Sequence, residues 1–561
     1  MKEDMTTNGS DLVDPLLGIE SALASDAPFA EWRDIVNRAM TFAYRGVEVI
    51  AERLPVARPL LAALHLASDE RRYRVLGDPV VRDAINESLA WAKAPFLEPP
   101  AAVEAILEAA VQALDEGATV APLETAAARR FRIGNEPYHA WVWWDERSND
   151  VFGKRFRALF EREIAHSISS KPAVLRTPDE RLEDTLRSGS RLLAALLPDL
   201  ARSVLAHVHL VAVVDVNDRR QWGRETRADL CQNVSTHAIP GTIFLSPSPL
   251  RSPWHAAEAL LHEAAHKKLS DLVFTRPIFR PGFAAATART IRAVWNSPLS
   301  WNSNDWSIDR ALFAFHVYVH LGLFFQVVQI RANELQIEYG PLQGMQPARA
   351  ARAALDRARY LRSELQRTAG DDLGLDGHRL VVWLGGVLEA LDPSQPLADP
   401  AMHLWLDRYD RETKEIGDLI AQIDLDAPEN GSQEVNTPYE QWSVHRIVDH
   451  LVQSEVVAAY RVLSILGEAE PPSLPFYDGD RWSVAATSHA SFEERAAAFR
   501  GIRTFISCTL RGAPPEAFQW TCRTRRTKTL KDIVEDMIDH AYRHVGTLVG
   551  RLRAQKGGRA C

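Results

Sequence analysis

Cysteine is scarce: Cys231, Cys508, Cys522 and Cys561 are the only four in 561 residues. None stands in a C-x-x-C pair, so a thiolate zinc knuckle is excluded, and four scattered thiols cannot make the dense disulfide framework of small secreted domains. Positive charge is also short, with 65 Lys and Arg against 74 Asp and Glu and a net charge of −9. No global positive field draws the chain onto nucleic acid or an anionic membrane, and neither is an expected partner. The one basic cluster, Arg523-Thr-Arg-Arg-Thr-Lys528, reads as a solvated loop ahead of a helix. The opening Met1-Lys2-Glu3-Asp4 lacks the basic-then-apolar pattern of an export signal. A cytoplasmic location is expected.

Internal repeats and low-complexity runs are lacking as well, and 46% hydrophobic with 25% charged residues is ordinary globular usage. At this length one core is not enough, so several domains are expected. A single apolar run, residues 311–330, has the length of a membrane span. His316, His320, Gln326 and Gln329 interrupt it, and polar side chains are costly in lipid. It is expected as a helix buried in a domain core.

Residues 1–25 are expected to be flexible. From residue 26 to 114 the apolar spacing is helical, broken by prolines at 55–59 and 95–100, and reads as a scaffold. Residues 204–216 and 242–246 are short, apolar and strand-like, the second closed by Ser-Pro-Ser-Pro. Ser252-Pro253 then supplies a capping residue and a proline at the first helical position. After a linker at 392–402, four amphipathic stretches near His403–Ile423, Ser443–Leu466, Phe492–Leu510 and Thr529–Arg553 predict a four-helix bundle over 403–555. The fold class is therefore mainly α: an α+β domain with a few strands over 26–391, followed by the bundle.

The first candidate site is His262-Glu263-Ala264-Ala265-His266. Residues four apart on a helix lie one turn above each other, so His262 and His266 can share one ion. Glu263 stands beside them as a candidate general base for a metal-bound water. A third ligand must come from elsewhere. The metzincin extension fails, because Leu269 and Leu272 occupy the positions that want Gly and His. His316 is the preferred candidate and His320 the next, with the carboxylates of Glu334 and Glu338 behind them. The bland alternative is a pair of satisfied core histidines. If this helix is a zinc peptidase site, the 242–246 strand would pair with the substrate backbone.

The run Gly241-Thr-Ile-Phe-Leu-Ser-Pro247, the segment Leu260-Leu-His-Glu-Ala-Ala-His-Lys-Lys-Leu269 and the upstream Tyr73-Arg-Val-Leu-Gly-Asp-Pro-Val-Val-Arg82 resemble the HExxH-motif proteins associated with ribosomally made peptide (RiPP) clusters. Some members are peptide β-hydroxylases that use iron and 2-oxoglutarate. The resemblance implies a peptide substrate, such as a ribosomal precursor peptide, and iron(II) in place of zinc. A 2-oxoglutarate carboxylate wants a cationic partner, and Arg310 is the candidate. The family usually has an Arg- and Pro-rich run before its buried helix; here Ser300-Trp-Asn-Ser-Asn-Asp-Trp-Ser-Ile-Asp309 stands instead.

The second candidate site lies in the bundle. Trp442-Ser-Val, then His450-Leu with Glu455 following, then His540-x-x-x-His544-x-Gly is similar to the DinB-like superfamily of four-helix metal-binding proteins. That resemblance implies a second divalent metal, zinc or nickel, held by His450, His540 and His544, and a bundle that mediates dimerisation. Without a metal, Asp536 is the obvious acceptor for His540, one turn away. His445 is expected on another face.

Overall fold

The computed structural model describes the chain apart from residues 1–12, 26–28, 93–100, 115–131, 136–137, 144–150, 166–172, 217–232, 237, 248–249, 297–303, 393–399, 424–440, 469, 476, 486–489, 525 and 558–561. Most of the expected 392–402 linker and the first four residues of the Ser300–Asp309 run lie outside the described residues. Two compact units result, Met1–Ile291 with Trp306–Ser394 and Arg292–Asp305 with Gln395–Cys561. The fold is mainly α with a few short strands, as the sequence predicts.

In the larger unit, α1 (Val13–Ser25) corrects the expectation of a flexible start for that half of residues 1–25, and residues 1–12 lie outside the described residues. Ile19 and Leu23 are four apart and buried, and the Glu20 carboxylate accepts the backbone N–H groups of Asp199 and Leu200. Near its end, the Leu23 carbonyl accepts from Lys268 at 2.6 Å. The apolar face is short and shielded by polar neighbours in sequence, so only its packing partners reveal it. The scaffold follows as α2 (Trp32–Arg53), α3 (Ala57–Leu66), α4 (Asp69–Gly77), α5 (Pro79–Ala92) and α6 (Ala101–Leu114).

A sheet comes next. Its strands are β1 (Arg132–Asn135), β2 (Tyr138–Val142), β3 (Ala173–Arg176), β4 (Leu210–Val216), β5 (Val234–Ser235) and β6 (Thr242–Leu245). Between them run α7 (Val151–Glu163), α8 (Glu180–Leu196) and α9 (Pro198–Leu205). The order is β1-β2-β4-β6-β5, with β3 also on β4, and β4 pairs in parallel with β2 and β6. The 242–246 strand, expected to line a cleft as an edge, is interior: β6 is hydrogen-bonded to β4 on one side and antiparallel to β5 on the other. Its fully buried Thr-Ile-Phe-Leu run fits that place, because a strand covered on both faces loses the in-out alternation of an edge. Among the described residues, β5 ends the sheet on this side and β1 on the other.

Helix α10 (Pro253–Thr275) starts after Ser252 with proline at its first turn, as expected, and carries the HExxH motif. It packs closely on α8, where a side chain at Gly189 would place its Cβ 2.5 Å from that of Ala256. After the paired strands β7 (Thr290–Arg292) and β8 (Asp305–Ser307) comes α11 (Ile308–Tyr339). This is the membrane-like run, and 89% of its apolar window is buried within the protein, so its hydropathy is that of a core helix. The unit closes with α12 (Pro347–Thr368) and α13 (Leu375–Leu391).

The smaller unit contains the four long helices in the order predicted: α14 (Pro400–Ala421), α15 (Val444–Gly467), then, after the short α16 (Gly479–Ala485), α17 (Phe492–Gly512) and, after a β9 (Thr521–Arg523) and β10 (Thr527–Thr529) ribbon, α18 (Leu530–Gly557). Ser443 caps α15 and Ser491 with Glu494 forms a capping box on α17. Ile416, Ile420, Ile447, Leu451, Phe499, Val545 and Leu548 fill the core. Residues 292–305 group with this unit, through an Arg292 to Asp539 ion pair at 2.7 Å.

Candidate metal centres

In the bundle, α15 presents His450 and α18 presents His540 and His544 one turn apart. Their ligand nitrogens lie within 4.8 Å of one another, the only such group of three His, Cys, Asp or Glu donors among the described residues. The Nε2 atoms of His450 and His540 are 2.8 Å apart. Trp442 braces the rings, stacked on His544 with centroids 5.8 Å apart and edge-on to His450 at 5.1 Å. Burial pushes all three imidazoles down, His450 to about 4, His540 to about 3 and His544 to about 2, and charge repulsion within the cluster adds to the drop for the last two. At neutral pH these are three unprotonated nitrogens crowded together in a poorly solvated site. The donor set fits zinc or nickel.

The surroundings correct one expectation. Asp536 is exposed and pairs with Lys528, so it does not accept from His540. Glu455 lies in a separate buried network: Tyr409 donates to it at 2.7 Å, and Arg503 faces it at 3.7 Å while also pairing with Glu412. His445 is turned away as expected, against Phe492 and 2.9 Å from an Arg495 nitrogen.

In the larger unit the HExxH residues divide between two sides of α10. Glu258, His262 and His266, each four apart, are half-buried on an otherwise buried helix, and the His262 side chain keeps 36% of its surface exposed. The rings of His262 and His266 have centroids 5.2 Å apart. Glu263 is 3% exposed; one of its oxygens lies 3.8 Å from His262 Nε2 and the other has no hydrogen-bond partner. Burial pushes its carboxyl up to about 7, opposed by Ser235 of β5 and by Lys267. Lys267 is itself buried, donates to the carbonyls of Thr236 and Ile239 at 2.6 and 2.8 Å, and is pushed down to about 7 by desolvation.

No third donor joins this pair at ligand distance among the described residues. His316 and His320 are almost fully buried, with ring centroids 4.2 Å apart, and His320 Nδ1 donates to the His316 carbonyl at 2.8 Å. His316 Nδ1 and His320 Nε2 have no partner, and burial holds both rings neutral. The charge of Lys268 acts on both rings, and that of His266 is among the further causes that hold His316 down. Glu334 and Glu338 are exposed, and Glu334 pairs with Arg331 at 2.9 Å. Arg310 is also exposed and lies over the Trp306 ring at 4.7 Å.

Sequence reasoning missed Arg357 of α12. Its charge reaches both Glu258 and His262, the latter held down to about 4 by burial and then by this guanidinium. It also stands 3.5 Å from the Tyr318 hydroxyl. Nothing in the spacing connects Arg357 to the motif, because the link is made by the packing of α10, α11 and α12. The i−4 position of Glu258 was a signal that could have been read from the helix itself.

No curated protein matches the chain. Residues 386–548 match the family model of the DinB superfamily, a span that takes in α14 to α17 and all three histidines of the bundle site. The C-terminal part of the chain is a DinB-like domain.

Proposed function

We propose that this protein is a metal-dependent peptide-modifying enzyme whose chemistry lies on the HExxH helix, with the DinB-like domain holding a second divalent ion at His450, His540 and His544. The observation that carries the enzymatic reading is Glu263. A buried carboxyl raised to about 7, with one oxygen 3.8 Å from His262 and the Ser235 hydroxyl beside it, is poised to exchange a proton near neutral pH. The strand β5 supports a peptide substrate, since Ser235 on that strand neighbours Glu263 and, among the described residues, β5 ends the sheet, where an extended chain could add.

A metal on His262 and His266 would supply a Lewis acid and an activated oxygen ligand. The pair provides two donors only, so no step is assigned to that ion. Two reactions then compete. The family resemblance favours hydroxylation with iron(II) and 2-oxoglutarate, and Arg357 beside His262 supplies the cation that a carboxylate cosubstrate wants. Hydrolysis is favoured by Glu263 itself, acting as general base on water.

Metal analysis of anaerobically purified protein, with and without 2-oxoglutarate, separates them. Iron in the larger unit with an absorbance change on adding 2-oxoglutarate supports hydroxylation. Zinc, with peptide cleavage that needs no cosubstrate, supports hydrolysis. Protein that carries no metal when the bundle histidines are replaced, and turns over no peptide, would overturn both.

A further inference from the structure

His450 has a neighbour that none of the motifs points to. The connection from α15 to α17 folds back so that α16 begins beside the imidazole, where the Gly479 backbone favours the N–H form of the ring; with Nε2 turned to His540, the nitrogen on the Gly479 side is Nδ1. The approach is close: a Cβ at position 479 would lie 2.6 Å from His450 Cε1, 3.3 Å from Nδ1 and 3.2 Å from a ring carbon of Tyr477. A Cβ at 2.6 Å from a ring atom forces movement, and His450 is itself braced by Trp442 behind it. Gly479 has no left-handed φ, so space is the reason for the glycine.

The segment is tied in place from the other side. Arg446, one turn before His450, pairs with Asp480 and donates to Ser483 at 3.0 Å. Its guanidinium lies 3.9 Å above Trp442. One side chain thus ties α16 to the same tryptophan that supports the histidine cluster. Holding the proton on Nδ1 leaves the Nε2 lone pair directed at His540, where the three nitrogens meet.

We propose that Gly479 is a positioning residue for the bundle metal site: its carbonyl fixes the tautomer and orientation of His450, and its lack of a side chain permits the approach. This rests on the reading that His450, His540 and His544 hold an ion. Tyr477 is the rival for the role, because its hydroxyl stands 3.5 Å from the same Nδ1 and 3.4 Å from Ser454 Oγ.

The test is a competition titration of the full chain with zinc, and separately nickel, against a chromophoric chelator. Gly479→Ala keeps the carbonyl, but its Cβ would lie 2.6 Å from His450 Cε1 and must push backbone and ring apart; binding is expected to weaken by ~10–100-fold, the usual loss when the outer-shell partner of a metal-bound histidine is disturbed. Tyr477→Phe is expected to stay within about threefold, as is Gly467→Ala, where a Cβ meets nothing within 4 Å. Wild-type affinity in Gly479→Ala, or an equal loss in Tyr477→Phe, would overturn the proposal. Wild-type protein that takes up neither ion would overturn the metal reading with it. Should Gly479→Ala not fold, histidine-labelled NMR of the metal-free wild-type chain decides: Nδ1–H on His450 is expected, and Nε2–H refutes the assignment.

Discussion

His450 and His540, on helices α15 and α18, face each other with Nε2 atoms 2.8 Å apart. Two imidazole nitrogens at that distance repel unless a proton or a cation lies between them, and His544 completes a third corner of the same space. Replacement of His540 by alanine removes one donor of three. Bound zinc or nickel, measured by elemental analysis after dialysis, is expected to fall below a tenth of the wild-type content, because losing a ligand costs at least the ~100-fold that losing an outer-shell partner can reach.

Without metal, the same cluster makes the bundle sensitive to acid. Unfolded histidines take up protons near 6.5, whereas the folded His450 and His540 do so only near 4 and 3. Below pH 6.5 the unfolded chain therefore binds more protons than the native one, and stability falls as the pH drops toward 4. Chelated wild-type protein is expected to lose more thermal stability between pH 7 and pH 5 than the His540→Asn variant. An equal loss in both would show that the cluster is not the acid-sensitive element.

The four bundle helices and the His540-x-x-x-His544 pair were legible because periodicity and spacing along one helix are local properties. Gly479 was not, since its effect exists only where the α15 to α17 connection meets His450. Arg408 and Glu412 look in sequence like a solvated i,i+4 pair, yet both are fully buried with a 2.6 Å contact between them. The HExxH helix was recognised by its motif and its Ser-Pro start. The edge position of β5 was hidden, because a two-residue strand leaves no alternation to read. Arg357 was hidden for a different reason: it joins the site from another helix.

Buried charge in the bundle is arranged around Arg503, which faces both Glu412 and Glu455 and lies 3.8 Å over the Tyr409 ring. Arg503→Met keeps much of the volume but leaves two carboxyls without this cation. Breaking such a network from one side costs ~3–5 kcal/mol. Urea unfolding followed by bundle tryptophan fluorescence is expected to show a loss of that size, and a loss under about 1 kcal/mol would mean that the carboxyls are satisfied without Arg503.

Glu263→Gln separates catalysis from folding at the HExxH helix. The carboxyl takes up its proton near 7, so at neutral pH the wild-type side chain is already protonated in much of the population. Glutamine has nearly the same volume and remains neutral, so Tm is expected to move by only a few degrees. It cannot accept a proton, however, and general-base action is worth ~10²–10⁴-fold in rate. Peptide turnover should fall by that factor with the fold intact. The wild-type rate should rise with pH through about 7 as Glu263 ionises, and the residual rate of the variant should lack that step. Unchanged turnover in Glu263→Gln would remove this carboxylate from the chemistry and leave it as the buried partner of Lys267.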